Sequence, residues 1–268
     1  METDEYAKMH AMESEYWWFV GRRAIIACLL AAVPFPAKRH RRLLDIGCGT
    51  GANLPMLRLS VGPQGQVVAM DQSPHALQFT HAHPAAPGIE LVQGDALNLP
   101  FPDNTFHVLT LFDVLEHLGD DRRALAEVRR VLRPDGALVF TVPAYKSLWS
   151  THDEALHHFR RYEYDELRSL LRESGFGVER LSHAMGIMPP LVWLWHKIIP
   201  LIPEKAMRRR EGTVLPRFSS VANQVLIEYL KLETRLLTHH DLPLGTSLVG
   251  IAVKPAPDHS SVREWVAL

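Results

Sequence analysis

The segment Leu43–Gly51, LLDIGCGTG, constrains the fold more than any other part of this 268-residue chain. A short apolar run leads directly into three glycines. Glycines let the backbone turn tightly and approach a ligand closely, and the first turn of a following helix offers free N–H groups. The segment therefore predicts a buried strand, a ligand-binding turn and a helix. With Ala52 it also fits the dinucleotide pattern G-x-G-x-x-G/A, so an NAD-dependent oxidoreductase is one alternative.

Three acidic residues narrow the choice of ligand. Asp45 lies two residues before the first glycine, where a carboxylate would repel a pyrophosphate but favours a cationic amine. Asp71 follows the next apolar run, about twenty residues after the glycines, the spacing that places a carboxylate against ribose hydroxyls. Asp95 follows the third run and could accept a hydrogen bond from an adenine amine. The three acids therefore describe a positively charged ligand with an amine, a ribose and an adenine.

Apolar runs alternate with helical patterns from residue 41 onward, which predicts a mainly parallel sheet with helices on both faces. Ser73-Pro74 predicts a helix start, and the turn Pro134-Asp135-Gly136 is expected to open the fifth strand. Further helices are predicted over Arg122–Leu132, Tyr164–Ser174 (ending at Gly175) and Val221–Leu237. The predicted strands are Arg41–Ile46, Gln66–Met70, Ile89–Gln93, Phe106–Phe112, Ala137–Val142, Phe176–Leu181 and Ser247–Val253.

The composition excludes several classes of protein. The chain is 47% hydrophobic and 22% charged, which is typical of a globular protein rather than a disordered one. Its net charge of -1 argues against a nucleic-acid binder. The two cysteines, Cys28 and Cys48, cannot form a disulfide framework, and the acidic start METDEYAKMH is not a signal peptide. We therefore expect a cytoplasmic protein with no nucleic-acid partner.

Five motifs together resemble class I S-adenosylmethionine-dependent methyltransferases, over roughly residues 40–183. The motifs are LLDIGCGTG, Met70-Asp71, Gly94-Asp95-Ala96, the sequence FDVLEH at 112–117 and the sequence RVLRPDG at 130–136. The resemblance implies an α/β, Rossmann-like sheet of seven strands, mostly parallel with the last strand antiparallel. It also implies that the cofactor is S-adenosyl-L-methionine, bound by residues at the ends of the strands. The residues implied are Asp45, Gly47, Cys48 and Gly49 at the methionine end, Asp71 at the ribose, Gln72, Asp95 and Ala96 at the adenine, and Phe112 near the methionyl group.

The flanking segments resemble a bacterial small-molecule subgroup, the type 11 and ubiquinone-pathway-like methyltransferases. Residues 16–19, YWWF, with Arg22 and Arg23 look like its N-terminal helix, which closes over the cofactor. Trp18 and Arg22 are therefore expected at the cofactor, although simple core packing of this helix is an equal alternative. Leu242–Ser247 looks like the subgroup's approach to the last strand.

The segment 151–162, THDEALHHFRRY, follows the fifth strand, where open parallel sheets place ligands. It holds three of the chain's 15 histidines and a pair of arginines, which a solvated helix face rarely combines. Histidine titrates near neutral pH and can act as a base, so His152 or His158, then His117, are the predicted catalytic residues. The predicted substrate-binding residues are Asp153, Glu154, His157, Arg160, Arg161 and Tyr162. Arg160 and Arg161 are expected to hold an anionic group of the acceptor.

Asp113, Glu116 and His117 have i, i+3, i+4 spacing, which predicts that all three share one helical face. Ubiquinone-pathway O-methyltransferases resemble this stretch, and an equivalent set in them holds a divalent metal. The favoured alternative is that Glu116 and His117 only shape the wall near the sulfonium, so no metal is expected.

The whole chain, 1–268, is interpreted as a single domain. A helical cap (1–40) precedes the cofactor-binding core (41–184), and a helical insertion (185–245), the last strand (246–254) and a tail (255–268) follow. The insertion carries the apolar stretch Ile187–Pro203 and the basic residues of 205–210. A substrate cap is the favoured role, and a dimer surface or peripheral membrane contact through 187–210 are the alternatives, with the oligomeric state open.

These observations predict a methyltransferase that moves a methyl group to an oxygen or nitrogen of a small or lipid-like, anionic acceptor. An NAD-dependent oxidoreductase and a non-catalytic S-adenosylmethionine-binding protein are the alternatives.

Overall fold

The computed structural model of the protein describes residues 3–33, 41–186 and 218–256. Strands and helices alternate through the core, as the sequence predicts. The strands are β1 Arg42–Ile46, β2 Gln66–Asp71, β3 Glu90–Gln93, β4 Phe106–Phe112, β5 Leu132–Pro143, β6 Gly177–Ala184 and β7 Ser247–Val253. The helices are α1 Thr3–Met12, α2 Trp17–Ala32, α3 Leu54–Val61, α4 Pro74–Ala82, α5 Asp121–Val131, α6 Thr151–Ala155, α7 Tyr164–Glu173 and α8 Ser220–His239.

The seven strands form one sheet in the order β3-β2-β1-β4-β5-β7-β6. Pairing is parallel from β3 to β5, whereas β7 runs antiparallel to both β5 and β6. The predicted Rossmann-like sheet with an antiparallel last strand is therefore confirmed. The strand order reverses between β1 and β4, because β2 and β3 lie on one side of β1 whereas β4 and β5 lie on the other. Open sheets of this kind bind ligands in the crevice at such a reversal, at the carboxyl ends of the strands.

Apolar side chains cover both faces of the sheet. On one face, Leu44 and Met70 pack with residues of α5 and α7 such as Val128 and Leu171. On the other, Leu43 and Val67 pack with α2, α3 and α8. Consecutive strand residues point to opposite faces, so strands buried on both sides must be apolar throughout. This explains why β1, β2 and β4 are mainly apolar.

Local signals place several helix ends where the sequence predicts them. Ser73 caps α4, because its hydroxyl accepts a hydrogen bond from the amide of Ala76, and Pro74 occupies the first helical position. Gly175 follows α7 with a φ of 82°, a left-handed conformation that glycine adopts without steric cost.

The start of β5 corrects one expectation. The strand begins at Leu132 rather than Ala137, and Pro134-Asp135-Gly136 lies inside it. Phe106 pairs with Leu132 and Val108 with Ala137, so the register against β4 shifts at this point. The triplet is therefore a bulge, with Asp135 at a φ of 59°, and does not open the strand.

Helix α8, the described end of the predicted insertion, packs against α2. A Cβ placed on Gly21 would lie 2.1 Å from Cδ1 of Leu230, so only glycine allows the two helices to approach this closely. Residues 187–217, with the predicted membrane contact, and the tail from residue 257 lie outside the described residues. Among the described helices, none is both long and apolar enough to cross a membrane.

Candidate functional site

The predicted cofactor residues meet at the carboxyl edge of the sheet. The glycine turn follows β1, Asp71 ends β2, and Phe112 ends β4. Because β1, β2 and β4 are parallel neighbours, their carboxyl ends lie side by side. Burial is the main cause of the raised pKa of Asp45, and the nearby charges of Asp71 and Arg22 raise and lower this pKa, respectively.

The glycine turn is built around left-handed backbone. Gly47, Gly49 and Gly51 have φ values of 76°, 57° and 85°. The amides of Gly47 and Cys48 both donate to the carbonyl of Met70, at 2.8 and 3.0 Å, which ties the turn to the end of β2. A Cβ on Gly49 would meet no atom of the described residues within 4 Å, which leaves room for a ligand to approach the backbone here.

Asp45 lies in β1, two residues before the first glycine of the turn. Its side chain is buried, and Oδ1 accepts a hydrogen bond of 2.5 Å from the hydroxyl of Thr110. The other oxygen, Oδ2, is buried and has no hydrogen-bond partner among the described residues. Burial raises the pKa of Asp45 to about 7, against the hydrogen bond from Thr110, which lowers it. A buried carboxylate oxygen without a donor is ready to receive a cationic group.

Asp71 holds the glycine turn in shape. Its Oδ2 accepts from the amide of Gly49 at 2.9 Å, and its Oδ1 accepts from the amide of Ser73 at 2.9 Å. Gln72 next to it is exposed, and its carbonyl accepts from the side chain of Gln93. The thiol of Cys48 is buried beside the hydroxyl of Thr80, and burial raises its pKa.

The other two residues predicted at the adenine, Asp95 and Ala96, differ in exposure. Asp95 is exposed, and its carboxylate accepts from the amide of Leu97 at 2.9 Å, a local turn that still leaves the second oxygen available. Ala96 is buried in the core cluster. Phe112 is also buried, at the end of β4 and on the opposite face of the sheet.

The N-terminal helices combine core packing with contacts to the site. Trp17 is buried in the core, whereas Trp18 is half-buried and lies 5.1 Å below the guanidinium of Arg22. Arg22 pairs with Asp113 at 2.5 Å and donates to the hydroxyl of Thr141 at 2.7 Å. The helix α2 is therefore fixed to the ends of β4 and β5.

The stretch 113–117 corrects a second expectation. Asp113 has a φ of 54°, and only Leu115–His117 form a short 3-10 turn, so the three residues do not share the face of one α-helix. Asp113 instead turns toward Thr141 and Arg22, while Glu116 is fully buried. Burial raises the pKa of Glu116 well above its usual value.

The rings of His117 and His158 pack against each other, and we call these two residues the acceptor-side pair. Their centroids are 4.6 Å apart, with the ring planes at 82°. Burial, with a smaller contribution from His158, lowers the pKa of His117 to about 4. The Nδ1 atom of His158 lies 2.9 Å from Oδ1 of Asp153. The amide of Phe159 donates to the carbonyl of Glu116 at 2.7 Å, which joins the two chain segments.

Asp153 serves as an internal anchor. Its side chain is completely buried and accepts from Arg161 Nε at 2.7 Å and from the amide of Ser150 at 2.9 Å. Burial alone would raise the pKa of Asp153, but the hydrogen bonds from His158 and Arg161 outweigh it, so the pKa is lowered. A carboxylate so fully occupied has little capacity left to bind a substrate, so this geometry gives no support to the predicted role of Asp153.

The arginines and the tyrosine are also paired inside the chain. Arg160 donates to Asp121 at 2.7 Å and to the carbonyl of Gly119, and the hydroxyl of the buried Tyr162 donates to the same carboxylate. Arg161 donates to Asp153 and to the carbonyl of Ala144. Tyr162 is thus a core residue. Both guanidiniums already have carboxylate partners, so this geometry gives no support to the predicted clamp on an anionic acceptor.

The other predicted residues of this segment lie at the surface. His152 and Glu154 are exposed on α6, and His157 is exposed with a φ of 57°. The structure thus places His158 and His117 together but does not bring His152 or His157 into the acceptor-side pair.

Two contacts near this edge escape prediction from sequence. The buried Glu13, just after α1, accepts a hydrogen bond from the hydroxyl of Thr50 in the glycine turn. The ring of His183, at the end of β6, lies between those of Tyr145 and Tyr164, with centroids 5.2 and 5.7 Å away. No local sequence pattern indicates either contact, because each contact joins residues that are far apart in the chain.

Comparison with known proteins connects this geometry to a family. Residues 44–140, which run from β1 to the middle of β5, match the family model described as a methyltransferase domain. The match contains the glycine turn, Asp71, Asp95 and the 3-10 turn.

Curated relatives agree with this match. The chain is 32% identical over 167 residues to a probable S-adenosylmethionine-dependent methyltransferase of Mycobacterium tuberculosis, covering 62% of this chain and 57% of the relative. It is 37% identical over 122 residues to the demethylmenaquinone methyltransferase of Staphylococcus epidermidis, covering 43% of this chain and 51% of that protein. The chain spans about half the length of the curated relatives it matches.

A solved structure extends the likeness of fold to nearly the whole chain. A chain from the complex of the Haloferax volcanii Trm112 methyltransferase activator with a provisionally assigned methyltransferase superposes with a TM-score of 0.63. The superposition covers 96% of each chain at 20% sequence identity. Residues 44–140 thus match a methyltransferase domain, the fold is that of solved methyltransferase structures, and the chain is similar in sequence to S-adenosylmethionine-dependent methyltransferases.

Proposed function

We propose that this chain transfers the methyl group of S-adenosylmethionine to an oxygen or nitrogen atom of a small-molecule acceptor. The observation that carries the proposal is the buried Oδ2 of Asp45, which has no donor among the described residues and borders the glycine turn. The α-amino group of the cofactor is a cationic donor of the kind this oxygen lacks. Asp71, already in contact with Gly49, would hold the ribose, and Asp95 the adenine amine.

Methyl transfer requires the protein to align the acceptor with the methyl group of the cofactor, and it requires no covalent bond between the protein and either reactant. The acceptor atom forms a bond to the methyl carbon while the bond from that carbon to the sulfonium sulfur breaks. The acceptor gives up a proton, and S-adenosylhomocysteine leaves. The cofactor supplies the electrophile, so the protein's task is to bring the reactants together and exclude water. Cover from α1 and α2, anchored through Glu13 and Arg22, is consistent with that task.

We propose that the acceptor-side pair activates the acceptor. Of the three histidines predicted as catalytic, His117 and His158 pack together at the end of β4, and Asp153 fixes the ring of His158. His152 lies apart on the surface of α6, so we assign it no part in the reaction.

We further propose that the acceptor is a lipid-like molecule. It is supported by the demethylmenaquinone methyltransferases among the relatives and by the apolar composition of 187–203. We do not retain the anionic group as a requirement, because Arg160 and Arg161 are paired with Asp121 and Asp153. Contact with a membrane surface through 187–210 stays a prediction.

Isothermal titration calorimetry tests cofactor binding. We expect S-adenosylmethionine and S-adenosylhomocysteine to bind one per chain, and NAD not to bind. Asp45→Asn should weaken S-adenosylmethionine binding, while Asp165→Asn, a matched change at an exposed position on α7, should leave it unchanged. Binding of NAD without S-adenosylmethionine would instead support an oxidoreductase.

Turnover tests the second alternative, a binding protein without catalysis. S-adenosylhomocysteine release is measured with a panel of hydroxyl and amine acceptors, from short polar compounds to prenylated quinols. Release that depends on an acceptor supports the proposal, and preference for the prenylated members supports a lipid-like substrate. Tight cofactor binding with no release across the panel would favour the non-catalytic alternative.

A further inference from the structure

The amino-terminal ends of three neighbouring strands carry basic side chains, at the edge of the sheet opposite the glycine turn. Arg42 begins β1 and Arg41 precedes it, while His107 and Arg133 are the second residues of β4 and β5. Because β1, β4 and β5 are parallel neighbours, their amino ends lie side by side. We call Arg41, Arg42, His107 and Arg133 the basic edge.

The sequence adds further positive charge at this edge. Arg41 and Arg42 end the run KRHRR at 38–42, which consists of five consecutive basic residues. Residues 38–40 lie outside the described residues, but their charges are at most three positions from Arg41. Acids are present too, since Asp135 lies in the bulge with Arg133 and Glu90 begins β3, and both are exposed. The balance of charge at this edge is therefore positive, in a chain whose net charge is -1.

Arg42 is packed into the edge without a carboxylate partner. Its amide donates to Nδ1 of His107 at 3.1 Å, and its guanidinium carbon lies 5.2 Å from the ring centroid of Phe106. The Nε atom of Arg42 is buried and has no hydrogen-bond partner among the described residues. Within the described part of the chain, neither Arg42 nor Arg133 forms an ion pair. A buried guanidinium N–H without an acceptor is costly, so this position favours an anionic ligand.

The other members of the basic edge add donors. Nη1 of Arg41 donates to the carbonyl of Ser60 at 3.0 Å, which holds that guanidinium beside the end of α3. Because Nδ1 of His107 accepts from an amide, the neutral ring carries its proton on Nε2. Burial, followed by the charges of Arg133, Arg41 and Arg42, lowers the pKa of His107. An anion at this edge would offset the repulsion among these groups.

We propose that the basic edge binds a phosphate group, carried either by a free phosphorylated molecule or by a lipid headgroup. A guanidinium pairs with phosphate through two parallel hydrogen bonds. A phosphate group carries up to about two negative charges, so it balances more than one guanidinium, whereas a carboxylate balances only one.

This site is separate from the proposed methyl transfer. The five residues of β1 lie between the basic edge and the glycine turn, and a strand rises about 3.3 Å per residue, so the two sites are about 16 Å apart. Phosphate binding therefore does not require S-adenosylmethionine, and cofactor affinity provides an independent control.

Isothermal titration calorimetry of the untagged full chain with inorganic pyrophosphate tests the proposal. At low ionic strength we expect one pyrophosphate to bind per chain, affinity to fall as NaCl is added, and acetate to bind far more weakly. Arg42→Gln should weaken pyrophosphate binding by about 10-fold, and the more exposed Arg133→Gln by about 3-fold. Arg168→Gln, which changes an exposed arginine of α7, is the matched control and should leave the affinity unchanged.

Vesicles distinguish the two sources of phosphate. Sedimentation of the chain is measured with phosphatidylcholine vesicles that contain or lack phosphatidylglycerol. Sedimentation that requires phosphatidylglycerol and is reduced by Arg133→Gln indicates a lipid headgroup. Pyrophosphate binding without such sedimentation indicates a free phosphorylated molecule.

Thermal unfolding of each variant identifies any that fails to fold, and the exposed Arg133→Gln serves if Arg42→Gln does not. The proposal is overturned if neither pyrophosphate nor phosphatidylglycerol vesicles bind, if acetate binds as tightly as pyrophosphate, or if the folded variants bind like the unaltered chain. S-adenosylmethionine affinity, measured on the same variants, should not change. A failure of the phosphate site is therefore distinguishable from a failure of the proposed methyl transfer.

Discussion

The guanidinium of Arg22 lies 2.5 Å from the carboxylate of Asp113, and this contact fixes the N-terminal helix α2 to the end of β4. The same guanidinium reaches the hydroxyl of Thr141 on β5 and lies over the ring of Trp18. The side chains of Arg22 and Asp113 are only 16% and 24% exposed, so solvent screens the pair weakly. The contact therefore joins α2 to the carboxyl ends of β4 and β5.

Arg22→Ala should weaken the attachment of α2 to the end of β4. Loss of a half-buried, charge-assisted pair leaves Asp113 without its partner, and we expect a loss of about 1–3 kcal/mol in the free energy of unfolding. Affinity for S-adenosylmethionine should fall as well. Urea denaturation and calorimetry measure the two effects. Arg122→Ala breaks an ion pair with Glu173 whose side chains are 62% and 55% exposed, and should change neither quantity detectably.

The pH dependence of stability should report the buried Asp45. Its pKa is raised to about 7, whereas an unfolded aspartate titrates near about 3.9, so the folded state binds more protons between these values. This group therefore lowers the free energy of unfolding as pH rises from about 4 to about 7, by up to about 4 kcal/mol. Asp45→Asn should remove that slope. Denaturant titrations of both proteins from pH 5 to pH 8 make the comparison, and identical slopes would contradict a buried, perturbed Asp45.

Cofactor affinity should show the opposite trend over the same range. The ionised form of Asp45 is the one that can pair with the amino group of S-adenosylmethionine, so affinity should rise as pH passes through about 7. Above about 8 the α-amino group itself loses its proton and affinity should fall again. Calorimetry across this range should show that the affinity of the unaltered protein is highest near neutral pH. For Asp45→Asn, affinity should not rise as pH increases from the acidic side, because the titrating carboxylate is absent.

Asp71→Ala should weaken S-adenosylmethionine binding by about 1–3 kcal/mol. The substitution removes the predicted ribose contact and the two acceptors that hold the amides of Gly49 and Ser73. The more exposed Asp103, which pairs with Arg130 at the surface, provides the comparison through Asp103→Ala. Equal affinities for the two variants would remove Asp71 from the cofactor site.

Arg161 and Arg160 should differ in their effect on stability. Arg161→Gln leaves the fully buried Asp153 without its cation, and we expect a loss of about 3 kcal/mol. Arg160→Gln should cost about 1 kcal/mol, because the Arg160 side chain is 32% exposed and Tyr162 still donates to Asp121. Thermal or urea unfolding ranks the two. A large effect of either variant on acceptor affinity, with stability unchanged, would restore the anion clamp.

Gly21→Ala should destabilise the protein despite the better helix propensity of alanine. The added Cβ would overlap Leu230 of α8, and overpacking of this kind costs about 1–3 kcal/mol. Gly119→Ala is the matched change, since a Cβ there meets none of the described residues within 4 Å, and the free energy of unfolding should stay within about 0.5 kcal/mol of the unaltered protein.

Local features of the chain predicted the sheet and the cofactor edge. The apolar runs, the cap at Ser73 and the glycines of the turn act within a few residues, so each is visible in the sequence before the chain is folded. The handedness of parallel connections decides the face of the sheet on which each helix packs, whereas the order of the strands is known only from the folded structure. The failures at β5 and at 113–117 are local as well, because periodicity alone does not separate a bulge or a 3-10 turn from regular structure.

The sequence by itself determined the alternating strands and helices, the glycine turn and the three acids at one edge. Only the tertiary structure decided how the charged residues pair. Arg160 lies beside Asp121, Arg161 beside Asp153, and Arg22 beside Asp113, while neither carboxylate oxygen of Glu116 has a hydrogen-bond partner within the described part of the chain. The composition and spacing of the sequence indicate which charged residues are present but not which of them pair with each other. The partners are chosen by packing, which brings residues from distant segments into contact and makes an unpaired buried charge more costly than a paired one.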